Sequence, residues 1–170
     1  EVIRFDHNTT PWGTEWAVDA SAAAAIQLNE YPGASYLHIR RAAAERHGLA
    51  PDQIVPGAGA DELILLAARA FLRPGGRAVT MTPTYPLYGI ACAQVGANLQ
   101  EIAAAAPDFS VPIDELVAAA GSSDLVWLCT PNNPTAVELR PADIAAVVTA
   151  AGGVVVVDAA YAEFVDADWS

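Results

Sequence analysis

Hydrophobic positions along this chain change period several times. Between residues 60 and 72 they fall at Leu63, Leu66, Ala67, Ala70 and Phe71, spaced i, i+3, i+4, i+7, i+8. That spacing predicts a helix with this stripe turned inward. Short apolar runs at 77–82, 99–102, 125–129 and 154–157 predict strands. Helical patterns lie between them. One covers 85–95 and stops at Gly96; another covers 112–120, with Pro112, Asp114 and Glu115 in its first turn and Gly121 at its end. A third opens at Pro141, places Ile144, Val147, Val148 and Ala151 inward, and ends at Gly152-Gly153. The unbroken apolar run 154–157 suits the middle of a parallel sheet, where both faces are covered. Upstream, residues 53–56 predict a short strand. Residues 34–47 predict a helix closed by Gly48, and 16–28 an alanine-rich helix followed by a Tyr31-Pro32-Gly33 turn.

Strands alternating with helices define an α/β fold with a mostly parallel sheet and helices on both faces. Residues 1–33 read as an N-terminal arm and 34–170 as part of a larger ligand-binding domain. In such sheets, ligands sit beyond the carboxyl ends of the strands. The places to search are therefore 57–61, 82–88, 130–135 and 158–164.

Composition removes several classes of function. The 170 residues carry a net charge of −12, which argues against a nucleic-acid partner. All eight basic side chains are arginine, so any chemistry that needs a lysine within this chain is excluded. Cys92 and Cys129 stand far apart in apolar surroundings, with no metal-binding spacing, and read as two buried thiols. The N-terminus has no apolar signal core, and the longest apolar run, 144–157, is too short for a bilayer and is broken by glycines. These features set the expectation of a cytoplasmic protein with no membrane partner; the Asn8-Thr9-Thr10 sequon then carries little weight.

Each strand end offers one chemical group. Gly57-Ala58-Gly59-Ala60-Asp61 puts small residues before a helix N-terminus, where the amides of Ala60 and Asp61 can receive a phosphate; the alternative is a tight turn with a capping aspartate. A dinucleotide fingerprint breaks at Glu62. Tyr85, between a strand and a helix, can stack on a flat heterocycle or simply bridge core and solvent. Thr130-Pro131-Asn132-Asn133-Pro134-Thr135 holds asparagines between prolines, either as an amide aimed at a ligand oxygen or as an Asn-Pro turn. An X-Pro bond there can be cis. Asp158 ends a buried strand and needs a cationic or hydrogen-bonding partner, with Tyr161 three residues on; the alternative is a cap for the next segment.

In order and spacing, Gly59-Ala60-Asp61-Glu62, Pro83-Thr84-Tyr85, Pro131 to Thr135 and Asp158 to Phe164 resemble the fold-type I, class I/II pyridoxal-phosphate (PLP) aminotransferases, and the histidinol-phosphate aminotransferase group in particular. Asn29-Glu30-Tyr31-Pro32 and Asn8…Pro11-Trp12-Gly13 are similar to that group's arm. The resemblance covers nearly all of the chain. It implies a PLP-transferase type I large domain, incomplete at its C-terminus, and an enzyme whose cofactor is pyridoxal 5'-phosphate. Ala60 and Asp61 would hold the cofactor phosphate, Tyr85 would stack on the ring, and Asn133 and Tyr161 would bond its phenolic oxygen. Asp158 would pair with the ring nitrogen. Tyr31 would reach the cofactor of a partner subunit, which implies a homodimer. Asn8 and Trp12 would face the small-molecule amino-acid or keto-acid substrate.

Several features depart from the family pattern. The family's Schiff-base lysine, its later arginines and its small C-terminal domain are not in these residues, so the chain is expected to be a fragment that is inactive by itself. Ala136 stands where the family usually has glycine, Ala159 replaces a glutamate, Trp12 a tyrosine and Thr10 an asparagine. The full-length parent is expected to transaminate a keto substrate, with histidinol phosphate/imidazole acetol phosphate as the candidate pair. A PLP-dependent decarboxylase of threonine-phosphate type and a non-catalytic module with a PLP-like pocket are the alternatives.

Overall fold

A computed structural model describes Asn8 and residues 13–25, 29–31, 33 and 35–165. The chain divides into two compact units, Glu1–Ile54 and Val55–Ser170.

The first unit holds helices α1 (Glu15–Ala24) and α2 (Leu37–His47) and a 3-10 turn, Pro51–Gln53. α2 ends as its sequence demands. Gly48 takes up the left-handed conformation at φ 64° and donates its N–H to Ala44 O. Arg40 Nε donates to Pro51 O at 2.6 Å and ties the helix to the 3-10 turn. The strand expected at 53–56 does not form. Ile54 is extended (φ −105°, ψ 126°), but no strand pairs with it among the described residues. Extended backbone becomes a strand only when a neighbour takes its hydrogen bonds.

The second unit runs α3 (Gly59–Phe71), β1 (Arg77–Thr82), α4 (Leu87–Gln94), β2 (Asn98–Ala103), α5 (Ile113–Ala120), β3 (Leu125–Cys129), α6 (Pro141–Ala150) and β4 (Val154–Asp158). The four strands are parallel in the order β2-β1-β3-β4. Side-chain alternation along β3 builds both layers. Leu125, Trp127 and Cys129 join Ile64, Ala68, Tyr88 and Cys92 in the α3/α4 layer. Val126 and Leu128 join Leu116, Ala120 and Val147 in the α5/α6 layer. At about 25 cal/mol per Å² of apolar area, fully buried side chains such as Trp127, Leu125 and Leu128 dominate the stability of this unit.

Three expectations are corrected. β4 lies at an edge of the described sheet rather than in its middle. Its apolar run reflects cover on both faces, with Val154 and Val156 on one layer and Val155 on the other; it does not report a neighbour on each side. α3 buries Ile64 and Ala68 and leaves Leu63, Leu66 and Phe71 exposed, so its inward stripe is turned by one residue. The helix is apolar around much of its circumference, and the side it turns to the sheet carries Ile64 and Ala68, with Leu65 and Ala67 packed beside them. Val148 of α6 is likewise exposed, while Val147 is buried.

Candidate active site

The cavity lies where the parallel sheet presents its carboxyl ends. It has a volume of about 120 Å³ and is lined by Ala60, Asp61, Tyr85, Asn133, Asp158 and Tyr161, together with Cys129 and Ala160. The fold thus brings six of the residues singled out from sequence around one space. Asn8 and Tyr31 belong to the first unit and are exposed, Tyr31 by 98%. Trp12 lies outside the described residues.

Local structure accounts for each group. Gly59 adopts φ 79° and starts α3 abruptly. No side chain caps the helix; Glu62 instead turns back to accept the Ala58 N–H at 2.6 Å. First-turn amides have no acceptor inside a helix, and here they belong to Ala60 and Asp61, which line the cavity. A phosphate is the natural acceptor for such amides.

Tyr85 lies in the loop just before α4. Its hydroxyl donates to Asp61 Oδ1 at 3.0 Å, which links the ring to the start of α3. That bond, and secondarily partial burial, holds its phenol above the ordinary value. Asn133 sits in a loop whose Thr130–Pro131 and Asn133–Pro134 bonds are cis.

Asp158 ends β4 in register with Cys129 of β3. The partner it was expected to need is Tyr88, whose hydroxyl donates to Asp158 Oδ2 at 2.7 Å. The Ala160 N–H donates to Oδ1 at 3.1 Å. Burial, above all, pushes the Tyr88 phenol far up, so it remains a donor.

Two supporting residues escaped the sequence reading. Tyr88 is one. Its signal was a polar tip on the helix face that it shares with Ala91 and Cys92, since a buried tyrosine hydroxyl seeks a partner. Asn132 is the other. It is 4% exposed, donates through Nδ2 to Pro83 O (2.9 Å) and Thr135 Oγ1 (2.7 Å), and accepts from Thr84 Oγ1 at Oδ1 (2.7 Å). It fastens the loop carrying Tyr85 to the loop carrying Asn133. Two adjacent asparagines cannot be told apart by spacing alone.

Fold and cavity together define a class: an open parallel α/β domain with a cavity at its strand ends, lined by the start of an uncapped helix, a tyrosine ring, an asparagine and a carboxylate. The chain belongs to the aminotransferase class I and II family, which it matches over residues 2–169. It is 38% identical over 168 residues to a histidinol-phosphate aminotransferase of Maricaulis maris, covering 96% of this chain and 46% of that protein. The crystal structure of the Sinorhizobium meliloti histidinol-phosphate aminotransferase in complex with pyridoxal-5'-phosphate superposes with a TM-score of 0.80 at 27% identity, over 88% of this chain and 41% of that one. An aspartate aminotransferase of Thermotoga maritima shares the fold over all of this chain and 50% of its own, with a TM-score of 0.83 at 23% identity. The chain spans about half the length of the curated relatives it matches. Among the described residues no helix is long and apolar enough to cross a membrane.

Proposed function

We propose that this chain is the N-terminal part of the cofactor-binding domain of a PLP-dependent aminotransferase. Its full-length form would move an amino group between an amino acid and a small keto substrate, with histidinol phosphate/imidazole acetol phosphate as the candidate pair. The observation that carries this reading is the convergence of Ala60, Asp61, Tyr85, Asn133, Asp158 and Tyr161 on one cavity. The donor set fits the cofactor: uncapped amides for its phosphate, a ring for its ring, an amide and a hydroxyl for its phenolic oxygen and a carboxyl group for its ring nitrogen. When bound, the cofactor supplies an electron sink that works while its ring nitrogen is protonated.

The residues of this chain would act by holding and orienting. Asp158 keeps a proton at the ring nitrogen through a charge-assisted bond contributing roughly 1.5–3 kcal/mol. Asn133 and Tyr161 bind the phenolic oxygen in its ionised form. The amides of Ala60 and Asp61 bind the phosphate, and Tyr85 covers one face of the ring and excludes water there. The family's lysine is not among these residues, so the roles proposed for this chain are those of binding and orienting the cofactor. A homodimer, with Tyr31 reaching the partner subunit's cofactor, and interaction of Asn8 and Trp12 with substrate are parts of the same proposal.

The test uses the full-length protein. Purified with PLP, it should show a visible cofactor band, and mixing with L-glutamate and a keto phosphate should consume both in equal amounts. Release of carbon dioxide with no keto-acid consumption would overturn transamination, and absence of the visible band would overturn the cofactor assignment.

A further inference from the structure

We infer that Tyr88 is a positioning residue that orients the Asp158 carboxyl beneath the cavity and, through its hydrogen bond, tunes the bond Asp158 offers to a ligand's ring nitrogen. This rests on the reading of Asp158 given under the proposed function.

Tyr88 is completely buried and its ring cannot turn freely. It stacks on Trp127 of β3 at 5.2 Å and 16°, and Tyr85 meets its edge at 6.0 Å and 84°. Its hydroxyl is therefore delivered to Asp158 Oδ2 from a fixed direction, at 2.7 Å. The Ala160 amide holds Oδ1. With both oxygens engaged, the carboxylate has one orientation, while Asp158 still lines the cavity.

The electronic consequence follows from the donor. A hydrogen bond to an ionised carboxylate favours that form over the protonated one. The Tyr88 hydrogen bond is therefore felt at the cavity through Asp158. The other groups around it do not supply this effect. Cys129, beside the Tyr88 hydroxyl, is a buried thiol held above its ordinary value by desolvation. Asp61 is engaged by the Tyr85 hydroxyl, and Tyr161 is assigned to the phenolic oxygen. Simple satisfaction of a buried phenol would explain the bond equally well, but it predicts no effect on the ligand.

The experiment is solution NMR of the full-length holoenzyme loaded with PLP labelled with 15N in the ring, at a pH well below that at which the wild-type nitrogen gives up its proton to solvent, so that the resonance reports how the proton is shared with Asp158. Tyr88→Phe keeps the ring stack and removes the hydroxyl. It should move the 15N resonance towards the unprotonated value, weaken PLP binding by roughly tenfold or more and lower kcat with KM little changed. Replacing Tyr88 with 3-fluorotyrosine, a stronger donor of nearly the same shape, should move the resonance the opposite way, and it provides the test should the phenylalanine variant fold poorly. An unchanged 15N resonance in both variants overturns the role of Tyr88 alone. A wild type that binds no PLP overturns the reading of the site, and the role of Tyr88 with it.

Discussion

Ala136 should be strained, and replacing it with glycine should stabilise the protein. It occupies the left-handed region at φ 57°, with its N–H donated to Asn132 O at 2.7 Å. For a residue with a Cβ that conformation costs about 1–2 kcal/mol. The methyl is exposed, so it returns little by burial. Glycine removes the strain but gives the unfolded chain more freedom, an offset of about 0.4–1 kcal/mol. The net expectation for Ala136→Gly is a gain of about 0.5–1 kcal/mol, or roughly 1–4 °C in Tm. Ala136→Val should lose stability, because a β-branched residue tolerates positive φ least. Urea unfolding of the full-length protein, with an unchanged m-value, reads both signs. A destabilised glycine variant, or a stabilised valine variant, would refute the reasoning. The usual glycine of the resembling family at this position has the same physical explanation.

Gly153→Ala should be severe. Its Cβ would overlap the Asp124 carbonyl oxygen and lie 2.5 Å from the carbon and 2.7 Å from Cα, for a loss of about 2–3 kcal/mol in chemical denaturation; Gly89→Ala, whose nearest neighbour would be Leu99 Cδ2 at 3.7 Å, serves as the tolerated control. Asn132→Leu removes three buried hydrogen bonds and should cost about 2–4 kcal/mol, with faster amide exchange at Ala136 and Val137; unchanged exchange there would contradict the coupling of the two loops. Burial raises the thiols of Cys92 and Cys129 and the phenol of Tyr88, so a thiol reagent at pH 8 should react with neither cysteine until the protein unfolds. In the unfolded chain these groups ionise near about 8.5 and about 10. Their contribution to stability is therefore complete below those values and is lost progressively as pH rises from them towards the higher values of the folded state, and the urea midpoint should fall above about pH 9.

What the sequence determined by itself was the order of elements and which residue types the strand ends carry. β1 and β3 have their expected bounds, and α2 ends at Gly48 as expected, because period, length and end-stopping glycines are local signals. The ring, the asparagine and the carboxylate were also legible as candidates, since each follows a strand and a parallel sheet aligns its strand ends; the turn at 57–61 was legible because it opens a helix, although no strand precedes it. Tertiary structure decided the rest. Which stripe of α3 faces inward depends on what lies opposite, and a helix apolar on several sides leaves Leu63 and Ile64 indistinguishable until the sheet is in place. The position of β4 depends on pairing, which side-chain pattern does not encode. The union of Tyr88 with Asp158, seventy residues apart, and the knot around Asn132 exist only once β1, β3 and β4 stand side by side. Hydrogen bonds of that kind are made by proximity in space, and no spacing along the chain announces them.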